Sequence, residues 1–423
     1  HNSQRRSGGS SRFDALNSNR ANSRTQGTGD FSGSTNTRWR GHNISDHSSS
    51  RSSRSAHHEP SYEERMAAIE KDAKTASRKG KNIDNKCNYD DEQDVNSISS
   101  WVGPLIDGKC TFYQDRDKRY PFTTGERGYA LLQQLLDRNK DLLRLNWEQI
   151  EEEAASNGTS ADVVIRIGHG LYADKPTLRT KGVTWSTEEY SHPGLQRMYL
   201  RMKSIQRFTE VWAMLERSAD IGVFDKVFEQ GNGTVRIAAV GGGPGYELLA
   251  ARLFFRERAP DITLELICMD VCPAWKPYAE LLGFRFVYYD INDAGTNPLQ
   301  LAGLNPGELH FCIVSCVMVY VTNDQTLDMF HRLIHEGGVK AILQSERGEK
   351  TRSCLMMEDR GGVVTRLIDQ SFGVDERQVV MSSREFDDSN LHKPKHKNSA
   401  EPTFPNVPFC EHKGQRRHPG RRR

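Results

Sequence analysis

The sequence predicts an α/β protein: a mostly parallel sheet with helices on both faces, preceded by an α-rich region and flanked by disordered tails. Three observations carry this. Residues 233–382 alternate short apolar runs with helix-length segments, the pattern of strand–helix–strand units whose strands lie side by side. Residues 99–230 instead hold stretches with apolar residues at helical spacing. Residues 1–60 and 391–423 are polar and basic with few aliphatic side chains, and such segments bury too little apolar surface to offset the entropy of ordering them.

The elements follow in chain order. Residues 1–98 read as a disordered Ser/Arg/Gly-rich tail and linker, interrupted by a short charged helix at 61–79. Residues 99–230 read as a cap or substrate-recognition region that begins with short extended segments. A helix in "TTGERGYALLQQLLDRN" puts Leu131, Leu132, Leu135 and Leu136 on one face. A second, "NWEQIEEEAASNG", is expected to start at Asn146 as N-cap and stop at Gly158. The longest, "HPGLQRMYLRMKSIQRFTEVWAMLERS", repeats Leu195, Met198, Met202, Ile205, Phe208, Val211, Trp212 and Leu215 at helical spacing. Its apolar face is expected to pack on the domain that follows, residues 231–390.

That domain opens with strand 235–240 and helix 246–257. Strand 262–269 leads to a short helix after Pro273, stopped by Gly283. Strands 284–289 and 309–315 come next, then helix 323–335 ending at Gly337–Gly338, strand 339–345, a helix near 361–371 and a strand at 377–382.

Charge is unevenly spread. Nine arginines face four acidic residues in 1–60, and nine basic face two acidic residues in 391–423. With the chain's net charge at +2, the middle carries −10: an acidic body between basic tails. The eight cysteines are scattered without a CxxC, which suits reduced thiols and an intracellular setting, nuclear or cytoplasmic. His392, His396, Cys410, His412 and His418 lack the paired spacing of a metal site and read as part of the basic tail, so no metal is expected. No apolar run approaches the roughly 20 residues of a membrane helix.

The chemistry concentrates in "VRIAAVGGGPGYELLAARLFF", residues 235–255, a strand, a glycine loop and a helix. A phosphate-cradling P-loop needs Lys-Ser or Lys-Thr after its last glycine, and none follows. A dinucleotide loop wants a third glycine where Tyr246 stands. The pattern present is G-x-G-x-G at Gly241, Gly243 and Gly245, suited to a ligand that needs close backbone approach but no phosphate partner.

On these residues the chain resembles the class I S-adenosylmethionine-dependent methyltransferases over roughly residues 233–350. The resemblance implies a Rossmann-like fold and S-adenosylmethionine as cofactor. It implies that Gly241, Gly242, Gly243 and Gly245 pass under the methionine and ribose, and that Asp270, ending "LELICMD", holds the ribose hydroxyls, since a carboxylate can accept from two vicinal hydroxyls. Asp290, in "FRFVYYDIND", would meet the adenine amino group, with Asp293 as a rival for that role and Ile291 against the ring. Ser315 completes the implied cofactor-binding set. The stretch "LHFCIVSCVMVYVTND" leads into the loop that faces substrate, where Ser315 and Tyr320 lie. Ala239 departs from the family's acidic residue two before the first glycine, and Glu247 is the nearby carboxylate that could compensate.

Cys316 follows Ser315 rather than a proline, so it reads as a packed strand-end cysteine rather than the nucleophile of pyrimidine C5 methylation. "SCVM" is not the [DN]-P-P-[FYW] of enzymes acting on exocyclic base amines. The expected function is methyl transfer from S-adenosylmethionine to an acceptor, with RNA ahead of protein or a small molecule because basic tails contact phosphates; a protein substrate stays open. The rival readings are an inactive methyltransferase-fold scaffold in a ribonucleoprotein assembly and an NAD-dependent oxidoreductase, the latter opposed by Tyr246.

Overall fold

The computed structural model describes residues 62–78, 106–108, 110–113, 121–173, 185–293, 295–321, 324–347, 352–368, 376–389, 391, 402–404 and 407–408. The expected disorder of residues 1–60 and the linker 80–98 lies outside the described residues, as does most of the basic tail 391–423.

Helix α1 (Tyr62–Arg78) precedes a two-stranded antiparallel ribbon, β1 (Cys110–Tyr113) with β2 (Pro121–Thr124). Four helices follow among the described residues: α2 (Glu126–Ser156), α3 (Ala161–Ala173), α4 (Thr187–Ser191) and α5 (Pro193–Asp220). Where two helices were expected, α2 is one helix of 31 residues. Asn146, expected to cap the second, lies fully buried in its interior, because its Nδ2 finds tertiary acceptors in the Pro193 carbonyl (3.0 Å) and the Tyr278 hydroxyl (2.9 Å). A side chain so engaged no longer competes with the helix backbone. The stop at Gly158 holds, just past the end of α2 with φ +57°.

Helices α3 and α5 cross backbone to backbone. A Cβ built on Gly168 would lie 2.0 Å from the Gly194 carbonyl carbon, and one on Gly194 would lie 2.2 Å from the Val164 carbonyl oxygen. Helix α5 begins with His192 as N-cap and Pro193 in its first turn. It is buried almost all round, because it packs on α2 and α3 on one side and on the sheet layer on the other.

After α6 (Asp225–Gln230) the alternation begins: β3 (Gly233–Val240), α7 (Tyr246–Arg258), β4 (Ile262–Asp270), a 3₁₀ turn at Pro273–Trp275, α8 (Lys276–Leu281), β5 (Arg285–Tyr288), α9 (Pro298–Leu301), β6 (Phe311–Ser315), a 3₁₀ turn at Met318–Tyr320, α10 (Asp324–His335), β7 (Ala341–Arg347), α11 (Arg352–Asp359), β8 (Val363–Ile368) and β9 (Glu376–Ser382). A short pair, β10 (Pro402–Phe404) with β11 (Val407–Pro408), closes the described chain.

The seven strands β3 to β9 form one sheet in the order β5-β4-β3-β6-β7-β9-β8. Pairing is parallel from β5 through β7, and β9 runs antiparallel to both its neighbours. Alternation within each strand divides the core. Val235, Ile237 and Ala239 of β3 join one apolar cluster, with residues of α2, α5 and α7. Ala238 and Val240 join the other, with residues of α10. The same split occurs on β6, with Phe311 and Ile313 against Cys312 and Val314. A strand covered on both faces must be apolar at every position, as "IAAV" is.

One expected element is replaced. In place of the helix expected near 361–371, Val363–Ile368 is strand β8, and the helix before it, α11, ends at Asp359. Gly361 has φ +79° and ends α11 rather than opening a new helix. The "VVTRLI" that follows is rich in β-branched residues and takes the sheet edge.

Candidate functional site

The site lies at the carboxyl ends of β3, β4 and β6, where strand order reverses on either side of β3 and leaves a crevice. Its floor is the glycine loop. The N–H groups of Gly241 and Gly242 donate to the Met269 carbonyl at 2.8 and 3.2 Å, stitching the loop to β4. Gly241 has φ +65°, and a Cβ there would lie 2.5 Å from Val317 Cγ2. Its glycine is thus required by the loop after β6 packing directly onto it. Gly243 has φ +51° and a Cβ there would meet nothing within 4 Å, because that side faces open space.

Asp270, the last residue of β4, is 8% exposed. Its Oδ2 accepts from the Gly243 N–H at 2.9 Å and its Oδ1 from the Cys272 N–H at 2.8 Å. Burial pushes its carboxyl up to about 6, against the pull of those backbone bonds. Each oxygen keeps a second lone pair for a ligand.

A cavity of about 440 Å³ opens above this floor. Gly241, Gly243, Asp270, Ile291 and Ser315 line it, together with Tyr289. Three other residues of the expected set do not. Gly242 packs on β4, where a Cβ would come 2.9 Å from Cys268 Sγ; Gly245 starts α7 against the Phe284 ring; Asp290 turns its Oδ1 to the Asn292 N–H at 2.8 Å. Glu247 is buried beside the loop but is not on the cavity wall. Burial pushes its carboxyl up to about 7, opposed by Arg207.

The far wall comes from the helical region. Trp185, Tyr190 and Tyr199, with Trp275, form a continuous run of rings: Trp185–Tyr190 at 5.4 Å and Tyr199–Trp275 at 5.3 Å between centroids. The Tyr190 and Tyr320 hydroxyls are 2.9 Å apart and join α4 to the turn after β6. Burial, then the neighbouring Tyr320, holds the Tyr190 phenol well above its usual range.

Beside this wall, Arg207 of α5 reaches Cys316 Sγ at 2.6 Å and Glu210 Oε2 at 3.1 Å. Glu346 of β7, 5% exposed, accepts from the Val317 and Met318 N–H groups at 2.6 and 2.8 Å. Burial pushes its carboxyl up to about 7, while those bonds and Arg207 pull it down. The aromatic wall, Arg207, Tyr289 and Glu346 were not singled out from the sequence. A signal existed for part of it: Tyr199, Lys203 and Arg207 repeat every fourth residue of a helix, and all three line the cavity. Cys316, expected as a packed residue, also lines it.

Among the described residues no group of three or more His, Cys, Asp or Glu could hold a metal, and no helix is long and apolar enough to cross a membrane. The expected tail residues His392, His396, Cys410, His412 and His418 lie outside the described residues.

No protein-family model matches the chain, and no curated protein matches it. Solved structures do. The TrmK structure from M. capricolum, in complex with S-adenosyl-homocysteine, is 7% identical over 38% of this chain and 68% of its own, with a TM-score of 0.26. A Listeria monocytogenes protein, provisionally assigned as a class I S-adenosylmethionine-dependent methyltransferase, is 13% identical over 62% of this chain and 91% of its own, with a TM-score of 0.34. The E. cuniculi Mtq2–Trm112 complex, which methylates the eRF1 translation termination factor, is matched at 14% identity over 38% of this chain and 93% of that one, with a TM-score of 0.26. Overlays this loose carry no weight about chemistry. With parallel strands ordered about a central β3, one reversed strand beside β7 and a glycine loop at the crevice, the chain has a Rossmann-like α/β fold.

Proposed function

We propose that this protein is an S-adenosylmethionine-dependent methyltransferase. The observation that carries the reading is the tie between Asp270 and the Gly243 N–H, on the wall of the one crevice where that fold binds its ligand. The residues present fit the cofactor. Gly243 leaves the floor open to close approach, Asp270 offers free lone pairs to a diol, and Tyr289 and Ile291 offer apolar surface to a purine ring. The bound cofactor supplies an activated methyl group on a sulfonium. The chain's residues then have to align an acceptor with it and exclude water, which the aromatic wall favours.

The acceptor belongs between the floor and that wall. Rings of Trp185, Tyr190, Tyr199 and Trp275 suit a planar group, and we favour an unstacked RNA base over a protein side chain or a small molecule. The basic surplus at both ends of the sequence supports RNA through phosphate attraction.

Calorimetric titration with S-adenosylmethionine tests the reading, using the intact chain, Gly243→Arg and Asp270→Ala. Micromolar binding in the first, lost in both variants, is the expected result. No binding in the intact chain would favour a scaffold that has kept the fold and not the chemistry.

A further inference from the structure

Cys316 differs from the other described thiols. Cys268, Cys272 and Cys312 are buried, burial pushes the Cys268 and Cys312 thiols up, and Cys354 is half-buried but off the cavity wall. Cys316 is half-buried, lines the cavity, and has φ +53°, a left-handed conformation shared among the described non-glycine residues only by Asp107. That conformation costs about 1–2 kcal/mol, and it is locked from both sides. The Cys316 N–H donates to the Ser345 carbonyl at 2.8 Å, and the next two N–H groups donate to Glu346. Strain held in place this way at a cavity wall marks a functional position.

Two further observations point to a ligand there. The buried Arg207 guanidinium lies 2.6 Å from Cys316 Sγ. The adjacent Ser315, 6% exposed and on the same wall, has a buried Oγ with no hydrogen-bond partner among the described residues. A buried hydroxyl left unpaired costs about 1–3 kcal/mol, and a ligand atom entering the cavity would relieve it.

We propose that Cys316 is a nucleophilic thiolate facing the cavity, a covalent-modification site for soft carbon electrophiles that enter beside Ser315. Thiolates, not thiols, are the reactive form, and a neighbouring guanidinium favours them. Among the described residues the carboxylates that act on that cation are Glu210, Glu247 and Glu346, and burial pushes the last two up to about 7. On α5, Glu210 shares Arg207, and Tyr199 is neutral because burial pushes its phenol up. In the turn after β6, burial pushes Tyr320 up to about 12. On β7, Glu346 gains its negative charge only near neutrality, and Asp270 on β4 spends its charge on backbone N–H groups. In the reaction the thiolate sulfur forms a bond to carbon while the leaving group departs with its electron pair. The inference rests on the cavity wall alone and stands whether or not a methyl donor binds.

The test is alkylation of the intact chain by iodoacetamide, in which the C–S bond forms and iodide leaves. Peptide mass spectrometry follows Cys316 between about pH 5 and pH 9, with glutathione as the free-thiol reference. The rate at Cys316 should have its midpoint at least about one pH unit below that of glutathione. Arg207→Lys should keep the low midpoint and Arg207→Met should raise it by about one unit. A Cys316 midpoint equal to or above glutathione's overturns the proposal, as does modification of Cys316 only after denaturation, or a low midpoint that survives Arg207→Met. If Arg207→Met fails to fold, the profile of the unaltered chain decides the matter alone.

Discussion

A single methyl group placed at Gly241 or at Gly243 separates the two tasks of the glycine loop. Both positions have positive φ, +65° and +51°, so alanine at either carries a left-handed penalty of about 1–2 kcal/mol. Only at Gly241 is the space filled. The new Cβ would lie 2.5 Å from Val317 Cγ2 and 3.3 Å from Cγ1, and valine, branched at Cβ, has no easy alternative rotamer. Overpacking of that kind adds about 1–3 kcal/mol. Gly241→Ala should therefore lose about 3 kcal/mol of folding stability, and Gly243→Ala nearer 1 kcal/mol. Ligand binding should rank them the other way relative to stability. At Gly243 the methyl enters the cavity itself, and S-adenosylmethionine should bind at least about tenfold more weakly, equivalent to ~1.4 kcal/mol. Urea unfolding followed by circular dichroism gives the stabilities, and calorimetry gives the affinities. Equal stability losses in the two variants, or unaltered binding in Gly243→Ala, would refute this division of labour.

Other consequences can be measured separately. The Glu247 carboxyl is raised from 4.5 to about 7 in the fold, so the native state holds a proton that the unfolded state has already released across that window. Its contribution to stability therefore falls as pH rises from about 4.5 to 7 and is constant above, and Glu247→Gln should raise folding stability at pH 8 more than at pH 5, by up to about 3 kcal/mol in urea unfolding; equal gains at both pH values would count against it. Asp270, raised to about 6, accepts hydrogen bonds fully only when ionised, so cofactor affinity should decline as pH falls through 6, and Asp270→Asn should bind weakly with that step absent. Asn146→Ala leaves the Pro193 carbonyl without its donor and the Tyr278 hydroxyl with one partner fewer, which should cost about 2 kcal/mol in denaturant unfolding; a neutral result would show that water replaces the amide.

The central part of the fold could be read directly because its signals are local. Apolar strands, a glycine-dense turn and an acidic residue at the end of the next strand are all decided within a few residues, and β3, the loop and Asp270 lie where they were expected. Errors arose where distant residues decide. Asn146 looks like a helix start until Tyr278 and Pro193, far along the chain, are brought to it. Gly361 reads as a boundary but does not say on which side the helix lies. The cavity wall was least legible. Glu346 sits on β7 and Cys316 just past the end of β6, strands that meet only through sheet pairing, Ser315 opposite Ser345. Arg207 reaches them from a helix more than a hundred residues earlier. Its one trace in the sequence, the four-residue spacing from Tyr199 through Lys203, looks like ordinary solvated charge until the helix is known to be buried.

The crossing of α3 on α5 has a consequence for how this protein can change over evolutionary time. At Gly168 and Gly194 the nearest atoms in the space a side chain would need are backbone, the Gly194 carbonyl group and the Val164 carbonyl oxygen, so a second side-chain substitution nearby does not by itself make room. A descendant with any larger residue at either position has to swing α5 bodily, and Tyr199, Lys203 and Arg207 travel with it. Two glycines remote from the cavity and the composition of its far wall are thus inherited as a unit, and drift at the helix crossing would first be felt as a change in what the cavity accepts.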